Sequence, residues 1–533
     1  MIEALVAVLA PLAVGVTVPL PATGQTACLN DGNAPVPCAG TGQDGETRHG
    51  QPSPVPRFVD KGDGTVTDEL TGLTWLRDGN CWNVNHTWAQ GLVAIKDLNA
   101  NPAATTCGGY VGHYSDWRMP NVNELFSLVN FGVDDSSTWL GQQGFVHIGG
   151  ARYLTSTTQS YYPLARLPYK FLSVVLYSGV ISDFFARDDQ VPATTWAVRG
   201  SSSGPASVLR TGQQTCYDAQ GLKVSCTGTG QDGEIQAGAE WPSPRFQPSD
   251  DGTVVDRLTG LTWLADAACP KSTMASPDGR MNWGEALAFV RAINAGTVSL
   301  AACGYAGSQR DWRLPNVLEL WSLANAGERF NAAWLKGQGF RNALGVTTPP
   351  EINYYWASTR WRSLPDPHAY VVGLEGGFEI PLGGSMRALG GPVAVAATNN
   401  RLLVWPVRGL SGTPPPPPPD APFEPRDVAA DGDTTDAAAF TGAEASSGPD
   451  ISAPAPVDAP IEVPPEAPSD AGGFDAGDGA GEVRAQSRGC SCDVNGGRVR
   501  PLGAPTCFVL VGAFGVALAR RWRRRCFHTL LRR

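Results

Sequence analysis

Twelve cysteines and six histidines are the side chains of this 533-residue sequence with the most chemistry to offer. The cysteines fall at 28, 38, 81 and 107, again at 216, 226, 269 and 303, and finally at 490, 492, 507 and 526. None forms the Cys-x2-Cys step of a zinc site. The first two quartets repeat one another, and 28 to 38 and 216 to 226 are each ten apart. This repetition predicts the disulfides Cys28–Cys38, Cys81–Cys107, Cys216–Cys226 and Cys269–Cys303, formed in an oxidising compartment. The histidines do not repeat: His113 aligns with Ser308 and His147 with Asn342. No Ser-His or Cys-His couple recurs, so the chain reads as non-enzymatic and without a cofactor.

Three other groups could bind something. Asp60, Asp63 and Asp68 surround a glycine turn and resemble a calcium loop. Calcium takes six to eight oxygens, however, and a plain hairpin turn is the simpler reading. Asp116-Trp117-Arg118 and Asp311-Trp312-Arg313 could form a ligand site. The alternative is a buried tryptophan beside an Asp–Arg pair that fixes the turn ahead of a helix. Tyr161-Tyr162 and Tyr354-Tyr355-Trp356 could stack on sugar or protein, or belong to a core.

What would position these residues is a duplicated domain. Gly40-Thr41-Gly42-Gln43-Asp44-Gly45-Glu46 is repeated at 228–234, and Thr71-Gly72-Leu73-Thr74-Trp75-Leu76 at 259–264. Asp116-Trp117-Arg118-Met119-Pro120-Asn121 returns as Asp311-Trp312-Arg313-Leu314-Pro315-Asn316. Each copy closes on Trp-x-Val-Arg-Gly, through Trp196 and Arg199 in the first and Trp405 and Arg408 in the second.

Within a copy, Gly62-Asp63-Gly64 between β-type runs predicts a hairpin, followed by a short strand at Leu73 to Leu76. Trp88, Leu92, Ile95 and Leu98 share one helical face, as do Trp283, Leu287, Val290 and Ile293. Capping boxes are expected at Thr87/Gln90, Asn282/Glu285, Asn121/Glu124 and Asn316/Glu319. Leu125, Leu128, Leu320 and Leu323 are expected to face inward. The last ~70 residues of each copy read as irregular before a final strand carrying Trp196 and Val198. The sum is an α+β class of two tandem modules, each a small antiparallel sheet with two helices and long loops.

The segments are therefore a signal peptide at 1–24, module 1 at 25–200, a linker at 201–214 and module 2 at 215–410. A Pro/Ala/Asp-rich disordered stalk follows at 411–489, and a cysteine-containing tail with an apolar transmembrane helix and arginine cluster at 490–526. Two complete motif strings predict that the modules fold independently. A net charge of −10 excludes nucleic acid as a partner. Residues 25–200 hold 11 basic against 16 acidic residues, and residues 205–409 hold 17 of each, so no basic patch favours a polyanion.

The ordered set D-G-T-V-x-D, T-G-L-T-W, a Trp-led helix, D-W-R-[ML]-P-N-x-x-E-L and W-x-V-R-G resembles the C-terminal domain of the Legionella collagen-like adhesin, the Lcl C-terminal domain family. That resemblance implies a C-type-lectin-like or formylglycine-generating-enzyme-like fold and an adhesin-like role. In its terms Asp116, Trp117, Arg118, Pro120, Glu124, Trp196 and Arg199 are family-motif residues of structural character. So are Asp311, Trp312, Arg313, Pro315, Glu319, Trp405 and Arg408. The reactive late cysteines of a formylglycine-generating enzyme are missing from both copies. The tail is similar to the MYXO-CTERM sorting signal, with Cys490 and Cys492 ahead of the apolar run. It implies a sorting protease as partner and retention at the surface of a Gram-negative cell. Two function classes remain: recognition of an extracellular glycan or protein, and a structural envelope protein without a specific ligand.

Overall fold

Gly64 sits at φ +82, where a Cβ would collide with the backbone of Tyr110, so the Gly-Asp-Gly turn forms only with glycine there. Around it, Phe58–Asp60 and Thr65–Asp68 pair antiparallel, and Thr74–Leu76 adds the third strand. The closing strand Val198–Arg199 returns from far along the chain to pair with Thr74–Leu76. The second repeat builds the same sheet from Phe246–Pro248, Thr253–Asp256, Thr262–Leu264 and Val407–Arg408. The structure, a computed structural model, describes residues 17–409 except 105–106, 150–151, 161–168, 186–192, 219–221, 274, 346–352, 363–365 and 375–391. The expected stalk, the tail with Cys490 and Cys492, most of the apolar N-terminal run, and Tyr161-Tyr162 lie outside the described residues.

All four expected capping boxes are present. They start the helices Trp88–Ala100, Trp283–Asn294, Val122–Phe126 and Val317–Trp321. Each satisfies two backbone N–H groups at the helix start that have no partner within the helix, at the surface for Thr87 and Asn282 and in the core for Asn121 and Asn316. Trp88 and Trp283 pin their helices to a neighbouring strand, donating from Nε1 to the carbonyls of Thr155 and Ala357 at 2.8 Å. Further short helices, Ser136–Gln142 and Asn331–Gly337, lie beyond the two per module that the sequence suggested.

The late part of each repeat is not irregular. It forms the long strands Arg152–Ser160, Tyr169–Val175 and Val180–Phe185 in the first copy. The second copy has Tyr354–Trp361, His368–Gly373 and Val393–Ala397. Leu154 to Thr158 are all buried, as are Tyr354 to Arg360, so these strands carry no polar-out alternation to betray them.

These strands lie in one eight-stranded sheet that runs through both repeats. Val180–Phe185 of repeat 1 meets Val393–Ala397 of repeat 2 at the pair Ile181 and Val393. The described residues of both repeats thus lie in one compact unit. Each repeat has an open strand edge and an apolar helix face that the other covers. Phe126 packs edge-on to Trp321 and Phe131 edge-on to Tyr370, both across the repeat boundary.

The stretch 201–214 packs into the folded body: Ala206, Val208, Leu209, Thr211 and Gln213 are buried, and Ala206 N–H bonds the carbonyl of Leu70. Residues 18–24 pack against it as well. Leu20 and Thr23 are buried, and Val18 N–H bonds the carbonyl of Leu258 in the other repeat.

Candidate functional site

The family-motif residues are placed as a brace. Trp117 and Trp312 are buried, each held by a two-way backbone bond to Asn99 or Asn294. The Asp and Arg that flank them do not pair with each other, contrary to the sequence reading. Arg118 goes to Glu124 and the carbonyl of Gly200, and Arg313 to Glu319 and the carbonyl of Gly409. Asp116 takes Arg199 at 2.7 Å and Asp311 takes Arg408 at 2.8 Å. Trp196 and Trp405 donate to the carbonyls of Leu76 and Leu264. Pro120 and Pro315 accept from the N–H groups of Ser156 and Ser358. Together these bonds tie the turn ahead of the helix to the preceding helix, the long strand and the closing strand.

The other candidates resolve in the same way. The eight cysteines of the two repeats form Cys28–Cys38, Cys81–Cys107, Cys216–Cys226 and Cys269–Cys303. Asp68 is buried and held bidentate by Arg57, Asp63 caps Thr65, and Asp60 reaches Arg77. These three carboxylates are thereby directed to separate partners. Among the described residues no group of three or more His, Cys, Asp or Glu is arranged to hold a metal ion. Tyr354, Tyr355 and Trp356 are fully buried and serve the core.

The Gly-Thr-Gly-Gln-Asp-Gly-Glu segment, to which the sequence assigned no role, holds the repeats together. Glu46 gathers the N–H groups of Gly40 and Gly42, and Gln43 bonds Leu29 in both directions. This fixes Asp44 at the repeat boundary, where its Oδ2 accepts from Thr23 at 2.8 Å and from Thr359 of repeat 2 at 2.7 Å. Asp232 mirrors it, accepting from Thr211 at 2.6 Å and from Thr157 of repeat 1 at 2.8 Å. Gln25 and Gln213 cross the boundary to the carbonyls of Arg360 and Thr158. Asn316 and Asn121 donate to His49 and Ala237 of the opposite copy. Burial pushes the Asp44 carboxyl up to about 6 and that of Asp232 up to about 7. His49 beside them is pushed down to about 4, by burial first and the Arg313 charge second.

The open space lies elsewhere. A cleft of about 560 Å³ runs over the N-terminal part of repeat 2, lined among others by Arg210, Gln236, Trp241, Arg245, Glu328 and Trp334. Trp241 and Trp334 are half-buried, with ring centroids 5.8 Å apart and planes inclined at 34°. Trp241 is fixed in place: its Nε1 donates to the carbonyl of Arg210 at 3.1 Å and the Arg245 guanidinium lies 4.4 Å from its ring centre. Arg245 is bound to Asp256 at 2.9 Å and to the carbonyl of Ser322. Its Nη1 is buried with no hydrogen-bond partner among the described residues.

Sequence reasoning missed this cleft because it sought what the copies share. The signal lay in their differences. Counted from the shared Thr-Gly-Gln, Pro-Arg-Phe and Asn-Val steps, the positions of Arg210, Trp241 and Glu328 are Ala22, Ser53 and Val133 in repeat 1.

Fold and cleft together define a duplicated, disulfide-stapled α+β protein whose two copies exchange their N-terminal segments. It belongs to the Lcl C-terminal domain family, which matches residues 64–199 and 252–408, more than half of the chain. Neither a curated protein nor a solved structure matches. The exchanged segments, with Asp44, Asp232, Arg210 and Trp241, fall outside the two matched regions. The family is adhesin-like, and four disulfides fit an oxidising, extracellular setting. Among the described residues no helix is long and apolar enough to cross a membrane.

Proposed function

We propose that this chain is a non-enzymatic cell-surface protein that recognises a glycan or protein ligand. The observation that carries the reading is the cleft with its two half-buried tryptophans. A concave site with aromatic walls and a few convergent polar groups is the common form of a small-ligand site. The proposal includes export by a signal peptide at 1–24, and retention at a Gram-negative surface through the C-terminal region. A sorting protease acting at Cys490-Ser491-Cys492 is part of it.

The test uses beads coated with the intact, disulfide-bonded chain, washed over immobilised glycans and surface-protein extracts. Retention on at least one class, blocked by the soluble chain, is expected. Retention on neither would leave a structural envelope protein.

A further inference from the structure

We infer that the Trp241–Trp334 cleft is a binding site for an uncharged saccharide and that it belongs to repeat 2 alone. The inference rests on the recognition reading above and names its ligand class.

A pyranose ring has an apolar C–H face and a rim of hydroxyls that both donate and accept. Its site therefore needs an aromatic face held rigid, with two-way hydrogen-bonding groups at the edge. Trp241 supplies the first, because the Arg210 carbonyl and the Arg245 guanidinium hold it before any ligand arrives. Trp334, 5.8 Å away and inclined at 34°, adds a second aromatic ring to the cleft. The amides of Gln214, Gln236 and Gln338 and the hydroxyl of Ser243 line the same cleft and supply the second.

Charge selects against acidic sugars. Arg245 is neutralised by Asp256, Arg210 faces Glu240 at 3.7 Å, and Glu328 adds a further carboxylate to the lining. A sulfate or uronate would enter a site with no net positive field.

The repeats supply the control. Repeat 1 folds around Ser53, Ala22 and Val133 where repeat 2 has Trp241, Arg210 and Glu328. These three side chains are not demanded by a fold that the other copy attains without them.

The experiment is titration calorimetry of the intact chain against neutral gluco-, galacto- and manno-oligosaccharides and against heparin, each at low and high salt. At least one neutral series is expected to bind with an affinity unchanged by salt, since no ion pair is made. Trp241→Ser is expected to weaken that binding about tenfold or more. Glu328→Val, which leaves the aromatic face intact, is expected to weaken it less, and both variants to unfold cooperatively. Neutral-saccharide binding that survives both substitutions would overturn the site while leaving recognition standing. Binding of heparin alone, lost at high salt, would overturn the ligand class. Retention of the coated beads on protein extracts alone, with no saccharide bound, would overturn the inference but not the recognition reading. No retention of any kind would overturn both.

Discussion

Replacing Asp44 and Asp232 together by asparagine should make the protein more stable at alkaline pH, although both carboxyls bridge the two repeats. Each is fully buried, and each accepts two threonine hydroxyls through Oδ2 while Oδ1 has no partner among the described residues. Burial raises Asp44 from 3.8 to about 6 and Asp232 from 3.8 to about 7. An acid whose folded pKa is raised gives its full stability below its unfolded pKa and loses it as pH rises through the folded value. One unit corresponds to about 1.4 kcal/mol, so by about pH 8 the loss is about 3 kcal/mol from Asp44 and about 4 kcal/mol from Asp232. Asparagine keeps an oxygen for the threonines and carries no charge. His49 runs the opposite way: pushed down to about 4, it loses stability as pH falls below its ordinary 6.5. It is present in both proteins and cancels in their difference. Urea unfolding of both proteins in oxidising buffer, from about pH 4 to about pH 8, gives that difference directly. It should grow in favour of Asp44→Asn/Asp232→Asn by several kcal/mol as pH rises from about 4 to about 7, and level off above that. A difference that does not change with pH would refute the argument that these carboxyls are held protonated by burial.

Other perturbations separate brace from surface. Glu319→Gln leaves Arg313 buried without its charge partner and should cost about 3–5 kcal/mol, whereas Asp116→Asn, at a pair open to water, should cost under about 1 kcal/mol. Denaturant midpoints of the two variants check this, and equal losses would contradict it. Residues 17–205 alone should self-associate through the uncovered Val180–Phe185 edge; a monodisperse monomer in light scattering would count against the shared sheet. Opening Cys81–Cys107, whose partners are 26 residues apart, by Cys→Ser at both positions should cost on the order of 3 kcal/mol. An unchanged melting temperature would show that the bond adds nothing.

What was legible in the sequence was local. Capping boxes, the Gly-Asp-Gly hairpin and the cysteine pairs are each written within a few tens of residues, and each has a composition that only one geometry satisfies. The long strands were hidden because Leu154-Thr155-Ser156-Thr157 is buried at every position, which erases the period of two. The exchange of segments was hidden by the duplication itself. Thr157 and Thr359 are equivalent, and nothing in the spacing says that Asp44 reaches the second rather than the first. The stretch 201–214 read as linker from Ser201 to Ser207, although Thr211-Gly212-Gln213 repeats Thr23-Gly24-Gln25 and both glutamines cross the boundary. The cleft was invisible to a search for shared motifs because Arg210, Trp241 and Glu328 set it apart from repeat 1, whereas Trp334 and Arg245 have the counterparts Trp139 and Arg57.

The most direct test of surface recognition compares cells that carry the wild-type chain with cells that carry Trp241→Ser at equal surface abundance, quantified by antibody. Adhesion of both to an immobilised neutral-glycan surface is counted under flow. The account predicts that wild-type cells adhere, that the variant's adhesion falls to the level of cells lacking the chain, and that added soluble oligosaccharide abolishes the difference. Equal adhesion of wild-type and variant cells would contradict it.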